Sequence, residues 1–141
     1  MGSRSMAREA ALQMLYAREA TAVAGERVIF DYWREMPGDA EGRAYADKLV
    51  LGVEKDVETL DARITGASTN WRLERMTRVD RNLLRLGAWE ILNELDVPRA
   101  VIIDEVVELA KRFSTEDSHA FVNGVLDRIA EDAGRQNDSR D

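Results

Sequence analysis

Cysteine is missing from this 141-residue chain, which removes disulfide scaffolds, thiolate metal sites and cysteine nucleophiles at once. With a single histidine, a usual zinc site lacks its ligands as well. No apolar run approaches the roughly 18 residues of a spanning helix. The opening stretch MGSRSMAREAALQMLYARE interrupts its apolar pattern with arginine and glutamate and has no small-residue cleavage site, so it does not read as a signal peptide. There is no Gly-rich phosphate loop. Positive charge is scarce too: 20 Lys and Arg stand against 27 Asp and Glu, a net charge of −7. Tight, sequence-independent nucleic-acid binding is driven by phosphate neutralisation, and this balance argues against it, while leaving room for a local basic strip or a basic partner. The expectation is one cytoplasmic domain, off the membrane, without metal or cofactor.

What is present is helical. Apolar residues recur at three- and four-residue steps, and no run alternates with period two. Ala11, Leu12, Leu15 and Tyr16 mark the inner face of a first helix from Glu9 to about Ala22. A shorter helix around Val28 to Met36 ends at the turn signal Pro37–Gly38–Asp39. Tyr45, Leu49, Val53, Val57, Leu60 and Ile64 form the clearest core-facing stripe. The small, polar segment Thr65 to Asn70 is the best internal boundary. Beyond it, Val79 to Leu95 is too hydrophobic all round for a surface helix, and a further helix from Arg99 carries Val101, Ile102, Val106, Leu109, Ala110 and Phe113. Ser114 with Asp117 resembles a capping box, which predicts that the last helix begins at Thr115 or Glu116. The reading is all-α, with six to seven helices in two halves, about 5–68 and 70–133, and a frayed tail over 134–141.

Two clusters invite a functional reading. The stretch WRLERMTRVDRNLLR holds arginines 72, 75, 78, 81 and 85 against Glu74 and Asp80, and taken alone is a solvated helix face. The stretch EDSHAFVNGVLDRIA places Asp117, Ser118 and the lone His119 side by side. Consecutive helical residues point in different directions, so these three cannot form a hydrogen-bonded relay. Carboxylates at helical spacing, such as Asp104 and Glu108, are expected on the wet face of an acidic helical protein. No catalytic residue is assigned. Spacing alone puts Phe121 and Tyr16 in the core, gives His119 a surface or capping role, and makes Asn123 and Gly124 structural.

The run ELDVPRAVIIDEVVELAKRFSTEDSHAFVNGVLDRIA, Glu94 to Ala130, resembles the C-terminal signature of the NusB family of bacterial transcription antitermination factors. VDRNLLRLGAWEIL and REAALQMLY resemble that family's preceding stretch and its first helix. The resemblance implies two three-helix-bundle halves and no catalysis. It also implies pairing with ribosomal protein NusE, joint binding of single-stranded boxA RNA, and action within the RNA polymerase antitermination complex on ribosomal RNA operons.

Carried over by position, it assigns Arg4, Arg8, Tyr16, Asp117, Ser118 and Phe121 to RNA. Arginines suit phosphates and the two rings suit bases. The family's run of three or four consecutive N-terminal basic residues is reduced here to Arg4 and Arg8. That predicts greater dependence on the partner, with Arg72, Arg75 and Arg78 offsetting part of the deficit. Asp80, Glu105 and Glu108 are the acids expected to face basic NusE. Two alternatives stand: a self-associating, homodimeric interaction domain, and an RNA-binding module of the kind attached to ribosomal RNA methyltransferases.

Overall fold

The computed structural model describes residues 2–136. Among these the chain is helical throughout: α1 (Ser3–Thr21), α2 (Gly25–Glu35), α3 (Ala40–Ala67), a short 3-10 turn (Leu73–Arg75), α4 (Arg78–Asn93), α5 (Arg99–Phe113) and α6 (Ser118–Asp132). Helices α1 to α3 make one three-helix group and α4 to α6 the other. A single core runs through both: Leu15, Leu49, Val53 and Ile64 belong to the same buried cluster as Leu83, Leu84, Ile102, Val106 and Leu126. α3 spans 28 residues, is kinked at Asp56 (φ −103°, ψ 15°), and packs on α1, α4 and α6. Among the described residues no helix is long and apolar enough to cross a membrane.

Local chemistry explains the element ends. Asp39, last of the expected turn, caps α3, its Oδ1 accepting the Gly42 N–H at 2.5 Å while Ser3 donates to its Oδ2 at 2.8 Å. Those contacts, and burial of Ala7 and Ala10, draw α1 back to Ser3, six residues before the periodic signal suggested. Thr77 caps α4 by accepting the Asp80 N–H at 3.1 Å, an ordinary use of a threonine before a helix.

Three expectations are corrected. The capping box at Ser114 does not form, and α6 begins at Ser118, because the Ser114 hydroxyl donates to buried Asp80 at 2.6 Å instead of accepting a helical N–H. Asn123 and Gly124 are solvent-exposed and not packing positions; a Cβ at Gly124 would meet nothing. The close approaches fall at Gly87, against Leu126, and at Gly52, against the Trp89 indole. The tail is not frayed at its start. Gly134 ends α6 in the left-handed region, φ 71°, as helix-ending glycines commonly do, and Arg135 donates to the carbonyls of Ile91 and Val97. The rest of that segment, 137–141, lies outside the described residues.

Candidate nucleic-acid interface

Between the 3-10 turn, the start of α4 and the start of α6 lies a cleft of about 260 Å³. Its walls are Trp71, Met76 and Phe121, its inner end Asp80 and Ser118, and its rim Arg75, Thr115 and Asp117. Trp71 is 55% exposed, unusual for so large a ring, and meets Phe121 edge-on with centroids 6.4 Å apart. Phe121 is half-buried and rests on the core, so it has one side in each environment.

The segment carrying Trp71 and Arg75 is tied down from within. Ser68 donates to the Trp71 carbonyl at 3.0 Å, and Arg81 donates to the carbonyls of Leu73 and Met76 at 3.1 and 2.9 Å. Arg81 is held in turn by Glu19 of α1. Glu19 also accepts from Asn82 at 2.7 Å and Arg85 at 3.1 Å, while Arg85 forms a two-pronged pair with Asp61 of α3 at 2.8 and 2.9 Å. Burial works against the Glu19 charge, but the bonds from Arg81 and Asn82 outweigh it and hold the carboxyl below its ordinary range. The five arginines therefore divide. Arg81 and Arg85 are internal ties between α4 and α1 or α3; Arg72 and Arg75 face solvent; Arg78 lies over the exposed Tyr16 ring at 5.2 Å and 3.9 Å from Glu19.

On the other side of the cleft, Asp80 is 93% buried by its 7% exposure. Ser114 and Ser118 donate to its two carboxylate oxygens at 2.6 and 2.9 Å. Thr115 Oγ1 sits 2.8 Å from Ser118 Oγ; with the Ser118 proton committed to Asp80, threonine is the donor there. Ser118 thus turns toward Asp80 and not toward His119, which leaves no relay. Asp117 is exposed and carries no hydrogen bond or ion pair among the described residues.

The structure brings Phe121, Asp117, Ser118 and Arg75 to one cleft, with Arg72 nearby in chain and Tyr16 joined through Arg78. It separates Arg4 and Arg8 from them. Arg8 is 2% exposed, its Nε and Nη2 donating to the two oxygens of Glu90 at 2.7 and 2.8 Å and its Nη1 to Glu105 at 3.2 Å. Tyr45 donates to the same Glu90 at 2.8 Å. Burial works against the Arg8 charge, but Glu90 more than compensates and raises its pKa; burial, then the Glu90 charge, pushes the Tyr45 phenol up as well.

Arg8 is a core ion-pair residue, not a free phosphate ligand, and it lies eight residues, roughly 12 Å of helix, from Tyr16. Arg4 is exposed and stacks over Tyr45 at 4.6 Å. Of the acids expected to face a partner, Asp80 is held by serine hydroxyls at the inner end of the cleft and is not on the outer surface. Glu105 is half-buried and engaged by Arg8 and Ser5. Glu108 alone is on the outside, 3.3 Å from Lys111. Among the cleft residues the sequence reading missed, Trp71 is the largest; an aromatic just after the small polar segment Thr65 to Asn70, with no apolar stripe to join, is its signal. Among the described residues no cluster of His, Cys, Asp and Glu could hold a metal ion.

A family model described as the NusB family matches residues 5–131. A transcription antitermination protein NusB from Sorangium cellulosum (strain So ce56) is 66% identical over 135 residues, covering 96% of each chain. NusB from T. maritima superposes with a TM-score of 0.84 at 35% identity, covering 93% of this chain and 92% of its own. A crystal structure of antitermination factors NusB and NusE in complex with dsRNA contains a chain that matches with a TM-score of 0.84 at 28% identity, over 94% of this chain and 98% of that one.

Proposed function

The chain belongs to the NusB family, and from that premise we propose how it works as a transcription antitermination factor: it binds boxA RNA jointly with ribosomal protein NusE and supports transcription of ribosomal RNA operons. In this reading it acts in the cytoplasm, within the RNA polymerase antitermination complex, as one domain built of the halves 5–68 and 70–133. It performs no catalysis. The observation that carries the RNA assignment is the edge formed by Trp71 and Phe121 beside Arg72, Arg75 and the Arg78–Tyr16 pair. Single-stranded RNA offers phosphates and splayed bases, and this edge offers cations and ring faces.

Net charge explains the need for a partner. At −7 the protein repels phosphate at long range, and Arg81 and Arg85 are spent on internal carboxylates. A basic protein supplies the missing attraction, and the groove of Ser5, Arg8, Glu105, Glu108, Leu109 and Arg112 between α1 and α5 offers it the exposed acid Glu108. Arg4, exposed on α1 while it stacks on Tyr45, adds a phosphate contact away from this edge. The deciding experiment is a gel shift: the protein with NusE retains boxA RNA far better than either alone, and equal retention of a scrambled RNA would refute the assignment.

A further inference from the structure

We propose that Glu19 of α1 is a positioning residue for RNA binding: acting through Arg81, it holds the 3-10 turn in the form that presents Trp71 and Arg75. The inference rests on the RNA-binding reading above and adds a residue on another helix that governs that edge without touching RNA.

The turn has little of its own to keep it in place. None of its three residues, Leu73–Arg75, is buried, and the bonds that close it run from the Arg75 and Met76 N–H groups to the carbonyls of Arg72 and Leu73 at 3.0 and 3.2 Å. A 3-10 turn this short is weak by itself. Further ties come from side chains: Ser68 on the Trp71 carbonyl, and Arg81, whose Nη1 bridges the carbonyls of Leu73 and Met76. The Arg81 Nη2 donates to Glu19, so this carboxylate fixes the rotation of the guanidinium plane from which both carbonyls hang. Among the described residues Glu19 is the only carboxylate paired with Arg81 or with Arg78, the arginine over the Tyr16 ring.

Charge alone gives the opposite expectation, which makes the role separable. Glu19→Gln removes one negative charge from a chain at −7 and releases Arg78 and Arg81 toward phosphate, and long-range attraction would then tighten RNA binding. Positioning predicts the reverse, because a turn that spends about one-tenth of its time in the binding form binds about tenfold more weakly.

The test titrates boxA RNA into the complex with NusE at neutral pH. Glu19→Gln is expected to weaken RNA binding about tenfold with helix content and NusE affinity unchanged. Arg81→Lys keeps the charge but lacks the planar fork that grips two carbonyls and a carboxylate together, and is expected to lose a similar factor. In a protein already carrying Trp71→Ala and Arg75→Ala, Glu19→Gln should cost less than about twofold. Hydrogen exchange supplies a readout that general destabilisation would not move: in Glu19→Gln the Arg75 and Met76 amides should speed up about tenfold more than those of Leu49 and Val53 in α3. The proposal is overturned if Glu19→Gln binds RNA as tightly or more tightly, if Arg81→Lys binds like the unaltered chain, if the Glu19→Gln penalty is as large without the Trp71 and Arg75 side chains, or if turn and core amides speed up by the same factor. Failure of the unaltered complex to prefer boxA over scrambled RNA would remove the RNA reading and this inference together; boxA preference with undiminished binding in Glu19→Gln removes this inference alone.

Discussion

Replacing Arg8 by alanine separates two roles that the same residue could have. If Arg8 were a phosphate ligand, its loss would weaken RNA binding and leave the fold intact. In the structure it neutralises Glu90, which is fully buried at 0% exposure and would keep only the Tyr45 hydroxyl as a partner. Removing one member of a buried ion pair typically costs about 3–5 kcal/mol, because the other charge stays behind uncompensated. With an unfolding entropy of about 2.1 cal/mol/K per residue, a chain of this length has roughly 0.3 kcal/mol/K at its midpoint, so Tm should fall by roughly 10–17 °C. Thermal scans by circular dichroism, with urea titration alongside, measure this directly. Changing both partners to apolar residues, Arg8→Met with Glu90→Leu, should recover part of the loss, since the fully buried charge goes with its partner, while part-exposed Glu105 keeps only Ser5 and the Tyr45 hydroxyl loses its acceptor. An Arg8→Ala protein that melts within about 3 °C of the unaltered chain yet no longer binds boxA would refute the ion-pair reasoning.

Phe121→Ala should reduce boxA retention at least tenfold with helix content unchanged, and lower stability by only about 1–2 kcal/mol, below the usual 3–5 for a fully buried phenylalanine; loss of folding would mark the ring as core alone. Gly52→Ala forces a methyl group into the Trp89 indole and should cost about 1–3 kcal/mol, read as a shift in urea midpoint. Acid should act through Glu19 and Glu54, whose pKa values are lowered, Glu19 by Arg81 and Asn82 against the cost of burial and Glu54 chiefly by Arg18. A depressed folded-state pKa means their stabilisation is complete above the ordinary glutamate value of about 4.3 and is lost as pH falls below it through the folded-state value. The urea midpoint should therefore drop below that pH, and Glu19→Gln should flatten part of the drop; an unchanged profile in Glu19→Gln would count against the Glu19 ties.

Helix existence was legible wherever the apolar pattern was dense: the steps from Tyr45 to Ile64 mark α3, and the hydrophobic run from Val79 marks α4, which ends at Asn93, two residues before the run does. Ends were less so. Ser114 carries the signature of a cap, yet its hydroxyl is diverted by Asp80, 34 residues earlier, and no local pattern contains that information. The candidate site was legible in half. Phe121, Asp117 and the exposed arginines converge, but Arg8 and Asp80, charged residues in polar surroundings of sequence, are buried by long-range partners, Glu90 in one case and two serines in the other. Charge on a helix says where a side chain can face water; only the packing of other helices says whether it does. Trp71 was passed over because one aromatic has no period to betray it.

The 28-residue span of α3 means that the boundary at Thr65 to Asn70 separates helices, not folding units. A chain cut there would leave Leu49, Val53 and Ile64 without the α4 and α6 side chains that cover them, and neither fragment should hold native structure. Unfolding should be one cooperative transition, with the slowest-exchanging amides in α3 and α4 reporting the same global opening. A ligand that holds only the α6 edge should then slow exchange deep in α1 as well, because α1 packs on α3 and α4 and its buried amides are expected to exchange through the same global opening.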